Sequence, residues 1–205
     1  MSFEIWLAFA VASAILLTIP GPTVMMVLSF AMRRGRSSAW ATVPGVALGD
    51  ALAMSASLLG AGAVLAASAT LFTLLKLLGA AYLIFLAVRM WRAPDTLAEE
   101  PATDRRHGMF FNAFAVTALN PKTIPFFVAF VPQFVDPAQP YLPQVAILIT
   151  TFVALGAINA VLWALLAGTI RARFRAPGRM RLANRFGALC LAGGGVYMTT
   201  FRHAS

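Results

Sequence analysis

Two ionisable side chains stand in stretches of sequence that are otherwise free of charge. Lys122, in the run LNPKTIPFF, is the only charge in residues 110–135, and Asp50, in VALGDA, is the only acid well inside any long apolar stretch. Opposite charges at similar depth have two uses. They hold the two ends of a zwitterion, with Asp50 also able to gain and lose a coupling proton, or they pair with each other and fix packing. Asn120, Asn159, Thr23 and Thr123 supply neutral hydrogen bonds nearby. Pro20, Gly21 and Pro22 interrupt one apolar run and Pro121 another, with Pro125 one turn on. A proline has no N–H and clashes with the carbonyl four residues earlier, so the carbonyls of Leu16, Thr18, Thr117 and Pro121 lose their usual partners. Freed carbonyls suit an ammonium, and the half-helix starting near Pro22 turns N–H groups and a positive dipole end toward an α-carboxylate. The candidate binding set is therefore Pro20, Gly21, Pro22, Thr23, Asp50, Asn120, Pro121 and Lys122. Asn159, Thr123 and Lys76 are secondary; Lys76 is shallower and reads as a snorkelling lysine.

The chemistry that is missing is also informative. Cys190 is the only cysteine, so no internal disulfide forms. No His, Cys and carboxylate cluster has metal-ligand spacing, and His107 and His203 fall in polar or terminal segments. No nucleophile with a nearby base is visible. The expectation is a non-enzyme without catalytic residues, metal or cofactor.

The elements that must position these residues are membrane helices. The chain has 205 residues, is 60% hydrophobic and only 11% charged, and has a mean hydropathy of +0.80. An ordinary soluble domain carries about 25% charged residues, and one of this size could not hide so much apolar surface. Six apolar stretches reach spanning length, at 5–30, 39–65, 71–91, 110–135, 142–170 and 182–201. Asp50 then lies roughly 15 Å deep at 1.5 Å per residue, where a charge costs about 2.5–3.5 kcal/mol on insertion scales. Glu4 precedes the first run and Arg33, Arg34 and Arg36 follow it, which reads as a retained helix rather than a cleaved signal.

The net charge of +9 is sorted by loop. Arg33, Arg34 and Arg36 follow the first span; Arg89, Arg92, Arg105 and Arg106 follow the third; Arg171, Arg173, Arg175, Arg179, Arg181 and Arg185 follow the fifth. These thirteen of the sixteen basic residues predict three cytoplasmic loops and both termini on the periplasmic or extracellular side. The pattern argues against a nucleic-acid surface, which would interleave aromatic residues. The partner is the lipid bilayer, with the last cluster suited to anionic headgroups. Trp6, Trp40, Trp91 and Tyr141 fall at span ends as interfacial anchors, and Trp163 lies deeper.

The polar segment RAPDTLAEEPATDRRHG divides the chain into 1–92, a cytoplasmic linker 93–108, and 109–205. Three spans per side would set the two parts upside down relative to each other. The parts also echo: IPGPT with LNPKT, VALGDA with VALGAIN, and KLLGAAYL with NRFGALCL, at offsets of 100, 107 and 108. The fold class expected is an all-α integral membrane protein of six helices in two inverted three-helix repeats, with spans one and four broken at prolines. Such repeats with matched breaks point to a secondary transporter with its site near the midplane. Gly60 and Gly62, like Gly193 to Gly195, suit close helix contact within one chain or across a homodimer.

PGPT, GVALGD, KLLGAAYLIFL and LNPKTIPFFVAFVPQF, in that order, resemble the signatures of the LysE/RhtB amino-acid exporter family, and the likeness runs on to NRFGALCLAGGGVYM. The resemblance implies a bacterial inner-membrane exporter of amino acids or close derivatives, of the homoserine, threonine, lysine or leucine class, driven by protons. It implies roles for Pro20, Gly21 and Pro22, for Gly49 and Asp50, and for Asn120, Pro121 and Lys122. Ala87 replaces a frequent family glycine, and Thr23 stands where many members carry asparagine. The alternative within the wider superfamily is a cation or metal exporter, which would need more carboxylates, cysteines or histidines in the spans than Asp50 alone. A lipid-modifying enzyme lacks a visible nucleophile and base. A purely structural membrane partner leaves the matched breaks unexplained.

Overall fold

The computed structural model describes residues 1–67, 69–92 and 105–174, and residues 181, 182, 185, 188, 189, 192, 193 and 196. Among these the chain is helical, without strands. Residues 93–104 of the linker expected over 93–108, most of the sixth span, Cys190, Arg202, His203 and the side chain of Lys76 lie outside the described residues.

Helix α1 spans Phe3–Thr18 and α2 Pro22–Arg34. A short 3-10 turn, Arg36–Ser38, leads into α3, Ala39–Ala67, and α4 follows over Ala69–Trp91. Helix α5 covers Arg106–Ala118. After a gap the chain resumes as α6, Thr123–Pro125, then a π-helical stretch, Phe126–Phe130, and a 3-10 turn, Val131–Phe134. Helix α7, Tyr141–Phe174, is the longest.

Local chemistry explains the boundaries. Ile19 precedes Pro20 and is extended, at φ −65° and ψ 122°, as a pre-proline residue prefers to be. Pro22 opens α2, where its missing N–H is one the helix would leave unpaired in any case. Arg33 and Arg34 complement the dipole in the last turn of α2, and Gly35 ends it at φ 76°. Pro125 does not break the chain a second time. It lies in the first turn of the resumed helix, where proline is tolerated, and the irregularity follows it as a π-helical stretch.

The exposed faces are apolar. Phe3, Leu7, Val11 and Ile15 recur every fourth residue along α1 and are exposed, while Phe9, Ser13, Leu16 and Leu17 face inward. Helices with an oily outside and polar groups inside belong in lipid. Arg36–Gly60 and Tyr141–Ala167 are each long and apolar enough to cross a membrane alone. Phe3–Thr18 with Pro22–Arg34, bent by 54°, and Arg106–Ala118 with Thr123–Phe134, bent by 49°, reach that length as pairs. The described residues thus hold two to four candidate spans.

Helix α3 is the hub. Its GVALG segment lies against α5 at the distance that only glycine permits. A Cβ on Gly45 would stand 2.5 Å from the Phe110 carbonyl oxygen, and one on Gly49 would stand 2.8 Å from that of Phe114. This small-xxx-small contact brings Asp50, the next residue, beside the break after α5. Two apolar clusters flank that level. One gathers Phe9, Met54, Phe126, Phe127, Leu148 and Phe152; the other gathers Met26, Leu28, Phe30, Val46, Ala160 and Ala164. Along α3, Asp50 falls between Val46 and Met54, and along α7, Gly156 falls between Phe152 and Ala160.

Candidate functional site

The interruption between α1 and α2 leaves carbonyls at the end of α1 without helical donors, because Pro20 and Pro22 have no N–H. Side chains from the other half of the chain replace them. Lys122 donates from Nζ to the Leu16 carbonyl oxygen at 3.1 Å and to that of Ile19 at 2.9 Å. Asn159 on α7 donates to the Leu17 carbonyl oxygen at 3.0 Å. Gly21 allows the lysine this close: a Cβ there would lie 3.1 Å from Nζ.

The second interruption is organised by Asn120. Pro121 cannot donate to the Thr117 carbonyl, which takes the Asn120 N–H instead at 3.1 Å. The Asn120 side-chain oxygen accepts the Lys122 N–H at 3.0 Å, an Asx turn that aims the lysine stem. The Asn120 amide donates to the Thr23 hydroxyl at 3.1 Å, and that hydroxyl lies 3.3 Å from the Thr117 hydroxyl. The Asn120 carbonyl receives the N–H groups of Thr123 and Ile124, restarting the helix. One asparagine thus joins both breaks.

Asp50 is 2% exposed and Lys122 7%. No hydrogen bond or ion pair engages the Asp50 carboxylate among the described residues, so the lysine is spent on carbonyls rather than on the acid. The carboxylate has room because α7 carries Gly156 opposite it; a Cβ there would lie 2.7 Å from Asp50 Oδ2. Both residues line a cavity of about 20 Å³. Its polar wall is Thr23, Asp50, Asn120, Lys122, Thr123 and Asn159, and its apolar wall is Leu17, Val24, Val27, Val46 and Ala160. That volume holds about one water. An amino acid would require the walls to separate.

The structure therefore brings together Thr23, Asp50, Asn120, Lys122, Thr123 and Asn159, while Pro20, Gly21, Pro22 and Pro121 act through the backbone. Lys76 lies on α4, and its side chain is outside the described residues. Phe126 and Phe127 belong to an aromatic cluster with Phe130 and Phe152. Sequence reasoning missed the Thr117 hydroxyl, Gly156 and the carbonyls of Leu17 and Ile19. The echo of GVALGD in VALGAIN marks Gly156, but its role depends on facing Asp50. Two expected anchors are tied to protein: the Trp6 indole donates to the Thr151 hydroxyl at 3.0 Å, and the Tyr141 hydroxyl to the Leu58 carbonyl oxygen at 2.9 Å.

Residues 14–201 match the family described as LysE type translocator. Over 210 residues, all of both chains, the sequence is 34% identical to the homoserine/homoserine lactone efflux protein of Salmonella typhi. It is 30% identical over 202 residues, 98% of each chain, to an uncharacterized membrane protein of Vibrio cholerae serotype O1. The leucine efflux protein of Salmonella choleraesuis is 29% identical over 136 residues, 65% of this chain and 64% of its own. No solved structure matches the chain.

Proposed function

The chain belongs to the LysE type translocator family, and from that premise we propose that it is a secondary transporter exporting amino acids or close derivatives of the homoserine, threonine, lysine or leucine class. The full-length likeness to a homoserine/homoserine lactone efflux protein supports this reading. The observation that carries it is a buried acid and a buried lysine on one cavity, beside two interrupted helices. A buried charge pair that is not spent on itself is costly unless a ligand or a proton uses it.

In this reading the protein lies in the bacterial inner membrane as six spans, with residues 1–92 and 109–205 as inverted repeats and both termini outside. The α2 N-terminus and the side chains of Thr23, Asn120 and Thr123 orient the substrate in the cavity. Asp50 carries the coupling proton, and protons moving inward drive the substrate outward. The clusters on either side of the site open in turn. Cells expressing the chain should hold less of a fed substrate amino acid than cells expressing Lys122→Ala at equal protein level. Equal accumulation for every amino acid tried would refute the proposal.

A further inference from the structure

The two carbonyls that hold Lys122 are a seat for a primary ammonium. Leu16 and Ile19 present their oxygens 3.1 and 2.9 Å from Nζ, and nothing in that geometry requires the rest of a lysine. The seat exists because Pro20 removes one backbone donor and Ile19 is extended. The approach stays open because residue 21 is glycine. Its occupant comes from the far half of the chain, so the contact also ties the α1 end to the break after α5. Asp50 lines the same cavity and acts on Lys122 only through space, with no hydrogen bond between them among the described residues, so the lysine's N–H groups are left to the carbonyls.

Resting on the export reading above, we propose that the Leu16 and Ile19 carbonyls are the subsite for the substrate's primary ammonium, and that Lys122 is its intramolecular occupant, displaced when substrate binds. One ammonium replaces another on the same two acceptors, so neither carbonyl is left unpaired. The displaced Lys122 meets the substrate carboxylate, and the cavity keeps its charge balance because the substrate is a zwitterion. The tie between the halves is released only when an amine takes its place, which makes opening depend on loading. A quaternary ammonium has no N–H and cannot replace the lysine.

The full chain carrying Lys122→Ala is unfolded thermally in detergent with methylammonium chloride or tetramethylammonium chloride at equal ionic strength. Methylammonium is expected to raise its midpoint by several degrees, tetramethylammonium to leave it unchanged, and the wild type to respond to neither. Equal responses to the two salts would overturn the subsite. If Lys122→Ala does not fold, Lys122→Met keeps the volume without the charge. In a Cys190→Ala background, a Val27→Cys probe on the cavity wall should label several-fold faster with Met at 122 than with Lys, in the absence of any amino acid. Unchanged labelling would overturn the tie. Amino-acid export without the methylammonium effect removes the subsite and leaves the transporter; the methylammonium effect without export does the reverse.

Discussion

The ammonium of Lys122 donates to the carbonyl of Ile19 at 2.9 Å across 103 positions of sequence. A charge from the second half of the chain therefore caps the interrupted helix of the first. This explains why a lysine is tolerated between two prolines in an oily run. The same kind of residue that disrupts α5 at Pro121 disrupts α1 at Pro20, and the lysine beside one break satisfies the backbone freed by the other.

Gly45→Ala should lower thermal stability markedly, because the added Cβ would meet the Phe110 carbonyl oxygen at 2.5 Å and the Ala113 Cβ at 2.8 Å. Overpacking of this kind costs about 1–3 kcal/mol. Gly60→Ala is the matched control, since nothing lies within 4 Å of a Cβ there. Unfolding midpoints in detergent compare the two; equal midpoints would show that α3 and α5 do not pack this closely.

Gly156→Ala should leave an inserted, folded protein whose export falls tenfold or more, on the order of the 1.4 kcal/mol per decade that links rate to barrier. The new methyl would stand 2.7 Å from Asp50 Oδ2 and push the carboxylate from the cavity wall. Transport normalised to protein in the membrane reads this out. Normal export would separate Asp50 from the transport path.

Much of this site is visible in the sequence, because a charge or a proline in an apolar run is conspicuous in one dimension. Asp50 and Lys122 stand out for that reason, and they line one cavity with Asn120 and Thr23. Pro20 marks the Leu16 carbonyl in the sequence, but that of Ile19 is not visible, since every residue has a carbonyl and only the approach of the two halves selects it. Gly156 is hidden in the same way; the absence of a side chain matters only where a carboxylate faces it. The π-helical stretch at Phe126–Phe130 has the composition of an ordinary membrane helix, so the altered hydrogen bonding after Pro125 leaves no compositional mark. The helix ends at Thr18 and Ala118 leave a mark for the opposite reason, as a proline two or three residues on writes its backbone constraint directly into the sequence.

Asp50→Asn should separate coupling from binding. If Asp50 carries the coupling proton, export driven by a pH gradient should stop, while exchange of labelled for unlabelled substrate continues. Counterflow and gradient-driven efflux, measured on the same liposomes, report both quantities. Loss of both together would mean that Asp50 holds the substrate rather than the proton.

Topology is tested by alkaline phosphatase fusions, which are active only outside the cytoplasm. If the first loop is cytoplasmic, as the positive-inside rule predicts from the arginines at 33, 34 and 36, a fusion after Gln139 should be active and one after Ser38 inactive. The reverse pattern would invert the orientation.

The central claim is that this chain moves amino acids through the Asp50 and Lys122 cavity, and liposome efflux tests it most directly. Purified protein is reconstituted into liposomes loaded with labelled homoserine, threonine, leucine or lysine, with and without an imposed pH gradient. The wild type should release at least one of these saturably and faster with the gradient, and Lys122→Ala should release it no faster than protein-free liposomes. Wild-type release equal to that of protein-free liposomes for all four, or undiminished release by Lys122→Ala, would contradict the account.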